Sequence, residues 1–421
     1  MLEKLLLIFK DRDLRKKLLF VLAVLLVFRV TAALPIPGID ALRLRAFFEG
    51  NQFFGLLNIF SGGALDNLSV VMLGVGPYIT ASIIMQLLTM IVPRLKEIYQ
   101  EEGEAGRKRF NQYSRLLTVP LAVLQGFGLL VLLERQGVLG DLGFGARVVN
   151  IAVVTAGSVF LMWLGELISE YGIGNGISIL IFAGIVSGIP SSIQRALLNF
   201  DPSQIPLLLG FLAAGLVIVA GVVVVTEAER PIPVSYAKRI RGMRVYGGVS
   251  THLPLRVNQA GVIPIIFALS ILLFPQMIVN FLAGSSNQIL SSVSSAILAF
   301  LASPWAYALS YFILVFLFTY FYTAVTFDPD QISSNLQKQG AFVPGIRPGR
   351  PTSEFLYRIL NRITLIGALF LGLIAVLPLV MQATTGVVAL TIGGTGLLIV
   401  VSVVLETVKQ IEAQLVMREY E

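Results

Sequence analysis

The sequence has no cysteine, a single histidine and little charge. Without cysteine there are no disulfides, no thiol nucleophile and no Cys-ligated zinc or iron–sulfur site. The one histidine, His252, has no histidine partner and sits in a charged loop, so it reads as a surface residue and not as a metal ligand or catalytic group. Charged residues make up 13% of the 421 and hydrophobic residues 56%. A soluble domain carries roughly 25% charged residues. A chain this long and apolar cannot fold as an ordinary water-soluble core, because its surface would itself have to be apolar.

The charge is also unevenly placed. No Asp, Glu, Lys, Arg or His occurs in 257–327 or in 363–405. Each gap has room for two membrane crossings, since one crossing takes about 20 mostly apolar residues. The hydropathy pattern gives ten spans: 18–34, 70–92, 116–133, 148–163, 177–189, 205–226, 262–282, 305–327, 364–381 and 387–405. The fourth runs into Gly165, Glu166 and Glu170, the fifth is short, and the tenth is interrupted by Gly393-Gly394-Thr395-Gly396. The first span ends in Pro35-Ile36-Pro37-Gly38 with no A-x-A-like site, which argues against a cleavable signal peptide.

Ten crossings put both termini on one side. With the termini inside, the inside segments hold about 25 of the Lys and Arg and the outside loops about five, as the positive-inside rule requires of a cytoplasmic face. Three cytoplasmic loops are large: 93–115, 227–258 and 328–358. Residues 2–9, apolar around Lys4 and Lys10, suit a helix lying on the membrane surface. A division into 1–200 and 201–421 would give two five-span halves, which run in opposite directions because five is odd.

Several segments fit poorly as lipid-facing anchors. Phe60-Ser61-Gly62-Gly63-Ala64-Leu65-Asp66 places polar backbone and small residues just before the second span. It is either a movable segment inside a cavity or an ordinary external loop. Gly172-Ile173-Gly174-Asn175-Gly176 follows no strand and has the wrong spacing for a nucleotide loop, and no Walker A sequence exists, so no ATPase or nucleotide cofactor is indicated. Arg29 lies near the outer end of the first span, where it can snorkel to the interface. No midplane carboxylate or histidine of the kind that serves proton or ion coupling is found. A pore through these helices would be lined by aliphatic and small polar groups, which hold back water and ions by dewetting. The run from Tyr236 to Arg244, with Lys238, Arg239, Arg241 and Arg244, is densely basic. Such a patch suits ribosomal RNA, acidic proteins or anionic lipid headgroups, or else serves only to set topology.

Taken in order, several segments resemble the SecY family, in its bacterial and plastid branch. They are Pro35-Ile36-Pro37-Gly38-Ile39-Asp40, Phe60-Ser61-Gly62-Gly63-Ala64-Leu65, Pro77-Tyr78-Ile79-Thr80-Ala81-Ser82-Ile83-Ile84, Tyr171-Gly172-Ile173-Gly174-Asn175-Gly176-Ile177-Ser178, Ser250-Thr251-His252-Leu253-Pro254 and, most specific, Gly340-Ala341-Phe342-Val343-Pro344-Gly345-Ile346-Arg347-Pro348-Gly349. The resemblance implies an all-α membrane protein of ten helices, in two inverted five-helix halves around an hourglass pore. It implies a non-enzymatic, cofactor-free and metal-free channel that passes unfolded preproteins and releases hydrophobic signal sequences sideways into lipid. Carried over residue by residue, the pore ring is Val75, Ile79, Ile177, Ile181, Ile266 and Ile399; Val75 departs from the isoleucine usual in the family. Without the resemblance, an apolar i,i+4 pair such as Ile177 and Ile181 reads as helix packing.

The plug falls within 58–67, at Asn58, Phe60, Ser61, Gly62, Gly63, Ala64, Leu65 and Asp66. The lateral gate lies between the second and third spans and the seventh and eighth, with Thr80, Gln125 and Asn258 as polar positions and Phe274 as an aromatic. The loops 227–258 and 328–358 would dock the SecA motor or the ribosome, and Arg347 matches a functionally sensitive arginine. Small membrane subunits, SecE and SecG, are implied partners. The membrane implied is a bacterial plasma membrane or a thylakoid. Many relatives carry a short basic tail beyond the position of Glu421, so tail contacts fall outside this reading. The rival reading is a small-molecule secondary transporter with inverted repeats, which calls for a polar midplane site not found here. A membrane protease would need a catalytic set that is equally missing.

Overall fold

Long runs free of charge leave the backbone one economical solution in a bilayer, which is to satisfy its polar groups within helices. The computed structural model follows that logic. It describes residues 11–36, 61, 63–65, 68–100, 102–135, 137, 139, 143–198, 205–236, 239–241, 244–246, 250–282, 288–385 and 392–419. Each of the ten spans read from the sequence overlaps a helix in its described part: α1 (Arg12–Ala32), α2 (Gly76–Ile91), α4 (Gly103–Arg135), α5 (Phe144–Tyr171), α6 (Gly176–Leu198), α7 (Ile205–Glu227), α8 (Ile263–Leu282), α10 (Pro304–Thr326), α12 (Arg350–Thr385) and α13 (Ile392–Glu419). Among the described residues three helices lie between them: α3 (Pro93–Gln100), α9 (Gln288–Ala302) and α11 (Pro329–Lys338). The surface helix expected over 2–9 lies outside the described residues.

Among the described residues α4, α5, α10 and α12 are each long and apolar enough to cross a membrane alone. The pair α2 and α3 makes a fifth candidate, bent by 115° at its break. Helix α12 has 36 residues. At about 1.5 Å per residue it is longer than a hydrocarbon core of about 30 Å, so its first turns, with Arg350, Arg358 and Arg362, extend beyond the apolar span.

Local signals fix the starts. Asp11 caps α1 by accepting from the amides of Asp13 (2.8 Å) and Leu14 (3.4 Å). Asp328 caps α11 in the same way, with Pro329 at its first position. Glu166 does not end α5, and Arg115 of α4 pairs with it at 2.5 Å. The second span departs from expectation. Residues 70–75 form turns instead of helix, and α2 starts at Gly76. Leu68 (φ 39°) and Gly74 (φ 58°) take left-handed backbone there, which a continuous helix cannot contain. The amides of Ile36 and Val70 bond to the carbonyls of Leu68 and Leu34, each at 2.9 Å, and tie this turn to the end of the first span.

The loop 227–258 is not irregular. Strand β1 (Glu229–Tyr236) pairs antiparallel with β4 (Ser250–Arg256), from Glu229 opposite Arg256 to Ser235 opposite Ser250. Between them β2 (Arg239–Arg241) and β3 (Arg244–Tyr246) form a separate hairpin. The other edge of β1 meets β5 (Ala341–Phe342) at Ser235 and Tyr236, which joins the loop 328–358 to the same sheet. Ile232, Leu255, Val343, Leu356 and Ile363 form a small core beneath it. The sheet thereby stands on the start of α12.

Candidate functional site

The largest apolar cluster draws on α1, α2, α5, α6, α7, α8, α10, α12 and α13. Four of these helices bring the expected ring residues to it. Val75 and Ile79 come from the start of α2, Ile177 and Ile181 from the start of α6, Ile266 from α8 and Ile399 from α13. Val75, Ile79, Ile181, Ile266 and Ile399 are buried members, and Ile177 is partly buried against them. Val75 is the residue before α2 and its carbonyl accepts from the amide of Ile79 at 3.1 Å, so the i,i+4 relation holds although Val75 closes a turn.

Beside the ring lies the part of the expected plug that falls within the described residues. Ser61, Ala64 and Leu65 are almost wholly buried. The Ser61 hydroxyl accepts from the Leu65 amide at 3.1 Å, and the Ala64 carbonyl accepts from Ser69 at 2.9 Å. Gly63 supplies the left-handed conformation (φ 76°) that this tight turn requires. Ala64 joins the central cluster, while Leu65 packs into a second one with Leu68, Met72, Leu130 and Leu133. These residues lie inside the protein, which removes the external-loop reading for them. Asn58, Phe60, Gly62 and Asp66 lie outside the described residues.

On the expected gate, α8 packs against both α2 and α4. Thr80 donates to the Gly76 carbonyl (3.0 Å), and Gln125 reaches the Thr80 hydroxyl at 3.5 Å, so those two positions meet across α2 and α4. Asn258, buried just before α8, donates to the Gly261 carbonyl at 3.2 Å, and its Oδ1 has no partner. Among the described hydrogen bonds none joins it to Thr80 or Gln125. Phe274 belongs to α8, with its side chain outside the described part.

The basic run divides. Lys238 lies outside the described residues, while Arg239, Arg241 and Arg244 lie in the β2–β3 hairpin, where Arg241 and Arg244 face each other in register. Arg347 is exposed on a clamped turn. The carbonyl of Arg347 accepts from the Thr352 hydroxyl (2.8 Å), that of Gly349 from the Ser333 hydroxyl (2.6 Å), and the Ser353 hydroxyl contacts Asp330. Gly345 and Gly349 take positive φ on either side. His252 is exposed on β4. Among the described residues no group of His, Asp and Glu is placed to hold a metal.

Sequence reasoning missed three features of this region. Helix α9 is apolar but too short and serine-rich to read as a span. Arg29 donates to the Ser187 hydroxyl of α6 at 2.8 Å, an anchor that snorkelling alone does not foresee. The face of α5 carrying Ser158 and Gly165 packs against Gly74 and Ile177, and only its small residues hinted at close packing.

Comparison with known proteins bears on the family and the fold. A sequence profile of the SecY family matches residues 69–408. The chain is similar to a protein translocase subunit SecY of Corynebacterium glutamicum, at 45% identity over 98% of each chain. It is also similar to the SecY of Streptomyces coelicolor, at 47% identity over 98% of this chain and 97% of the relative. Among solved structures it superimposes on a protein-conducting channel with a TM-score of 0.64 at 19% identity, covering 94% of this chain and 91% of the other. The canine Sec61 in a ribosome–channel complex gives a TM-score of 0.61 at 19% identity, with the same coverage of both chains.

Proposed function

Because the chain belongs to the SecY family of protein-translocase subunits, we propose how its residues share the work of an all-α, multi-pass membrane channel that conducts protein and is not an enzyme. The observation that carries the proposal is the convergence of four helices on one uncharged apolar cluster, to which they bring the branched side chains of Val75, Ile79, Ile181, Ile266 and Ile399, with Ile177 against it. This is the pore ring. Branched aliphatic side chains exclude water from a narrow waist without fixed charge. They deform around a passing chain and offer it no strong hydrogen bonds. The segment around Ser61 to Leu65 is the plug, and its burial beside the cluster supports that role. Ten spans in inverted halves, 1–200 and 201–421, surround an hourglass path, with both termini cytoplasmic.

The seam between α2 and α4 on one side and α8 and α10 on the other is the lateral gate, at Thr80, Gln125, Asn258 and Phe274. A hydrophobic segment leaves through it because transfer to lipid is favourable, by about 0.8 kcal/mol per buried CH₂. The sheet and turns carrying Lys238, Arg239, Arg241, Arg244 and Arg347 dock an acidic or nucleic-acid partner, either SecA or the ribosome. The canine relative in its ribosome complex supports the second choice. SecE and SecG complete the complex, and pushing force comes from the docked partner or the membrane potential.

The test replaces Ile79, Ile181 or Ile399 by Asn. A hydratable group at the waist wets the closed channel, so planar-bilayer conductance at rest rises and substrates with defective signals are exported. Folded protein that stays ion-tight and no more permissive removes the ring assignment. Loss of folded protein points to simple packing, with a buried amide left unpaired.

A further inference from the structure

Val75 and Ile177 enter the central cluster with no helical turn of their own behind them. Val75 closes a run of turns held by the bonds Met72 to Ser69 (2.9 Å), Gly74 to Val71 (2.8 Å) and Gly76 to Leu73 (3.3 Å). Ile177 is the second residue of α6, its amide held by the side chain of Asn175 at 3.1 Å. Something outside each segment has to set where these side chains stand, and in both cases it is α5.

The contacts are close and specific. Ser158 of α5, fully buried, donates its hydroxyl to the carbonyl of Gly74, the residue before Val75, at 3.0 Å. At Gly157 a Cβ would stand 2.1 Å from the carbonyl oxygen of Val70, so the turn rests directly on the helix backbone. Two turns further on, a Cβ at Gly165 would stand 2.4 Å from Cδ1 of Ile177 and 3.3 Å from its Cγ1. The Ser169 hydroxyl donates to the Gly165 carbonyl (3.0 Å) and accepts from the Gly176 amide (2.9 Å), which fixes the entry to α6. Ser158, Gly165 and Ser169 are spaced by seven and four residues and therefore share one face of α5.

We propose that α5 is a positioning rail for the ring. Gly157 and Ser158 set Val75, and Gly165 and Ser169 set Ile177, so residues outside the ring fix its resting aperture. The inference rests on the ring reading and adds to it the residues that tune the seal.

Gly165→Ala is the decisive variant. The atom its methyl meets most closely is the free end of the Ile177 side chain, and the next, Ile177 Cγ1 at 3.3 Å and Leu180 Cδ1 at 3.4 Å, are side-chain atoms too, so side chains move and the helices stay. The expected result is a normal amount of folded protein, a severalfold higher resting ion conductance and export of a defective-signal substrate. Adding Ile177→Val removes Cδ1, and the double variant should return to the conductance of Ile177→Val alone, a rescue that general destabilisation does not produce. Ser158→Ala, compared with Ser158→Thr, which keeps the hydroxyl, decides the same question at Val75 if Gly165→Ala lowers abundance. An abundant Gly165→Ala channel as tight and stringent as the parent overturns the rail. Ile177→Asn, measured alongside, separates the two ideas. If it leaks while Gly165→Ala does not, the rail alone fails; if both stay tight, the ring assignment of Ile177 fails with it.

Discussion

Two apolar cores in this molecule are built for opposite purposes. The central cluster has no charged member and gathers side chains from nine helices, so a change in how those helices meet alters its shape. The core beneath the β1–β4 sheet is small. Ile232, Leu255, Val343, Leu356 and Ile363 lie under a sheet whose other face exposes Glu229, His252 and Arg256. In the proposed reading one is a seal that opens, and the other is a foundation that holds a charged surface still. They join at one tight point. A Cβ at Gly367 of α12 would stand 2.6 Å from the carbonyl oxygen of Val257, between the end of β4 and Asn258 at the foot of α8. If the proposed roles hold, docking and sealing belong to distinct structures that share a backbone junction, and substitutions should separate them.

The largest separation is expected at Arg347. It lies exposed on a turn clamped by Ser333 and Thr352, remote from the ring in sequence. Arg347→Glu should abolish export in a reconstituted translocation assay while the resting conductance and the assembled amount stay at parental levels. Normal export by the variant removes Arg347 from the docking surface.

Gly367→Ala probes the junction. In an open helix this change is stabilising, by up to about 1 kcal/mol. Here the neighbour is backbone and cannot swing away, so β4 or the foot of α8 has to move. Export should fall several-fold, and gate closure, read by cross-linking between α8 and α2, should loosen. If export and cross-linking both match the parent, the two regions are not coupled through this contact.

Leu255→Ala acts on one core alone. Leu255 is fully buried beneath the sheet. Removing it should cost about 2–5 kcal/mol of local stability. Hydrogen exchange in β1 and β4 should accelerate while the ion seal persists. A leak as large as that of Ile181→Asn would show that the cores are one cooperative unit.

The same contrast explains what was legible in the sequence. The spans were legible because burial among helices and exposure to lipid both demand apolar side chains, which leaves the charge-free stretches 257–327 and 363–405. The sheet of β1, β4 and β5 was not. Pro231 and Pro233 argue against a strand. They are tolerated because, among the described residues, β1 has a neighbour on its second edge only at Ser235 and Tyr236. That pairing joins residues about a hundred positions apart, which no local pattern records. The turn over 70–75 was read as helix from hydropathy alone, which cannot register the left-handed backbone of Leu68 and Gly74. The ring positions came from family resemblance, because an apolar i,i+4 pair is indistinguishable from packing until other helices are seen to meet it.

The smallest effect is expected at the β2–β3 hairpin. Arg241 and Arg244 are directly opposed across it, and like charges so placed repel. Reversing both to Glu keeps a like-charge pair, so hairpin stability should change little while the sign of the surface is inverted. Binding of an acidic or nucleic-acid partner should weaken several-fold, and the loss of affinity on adding salt should become shallower than in the parent. Arg241→Glu alone does something different. It converts the pair into an opposite-charge one, gaining about 0.2–1 kcal/mol locally, while still removing positive charge from the surface. If docking follows surface charge, the single variant should bind with intermediate affinity and the double variant least. If docking instead follows hairpin stability, the single variant should bind best of the three. Titrating SecA and ribosomes separately against the three channels at two salt concentrations decides between these orders, and unaltered binding of both partners removes the hairpin from the docking surface.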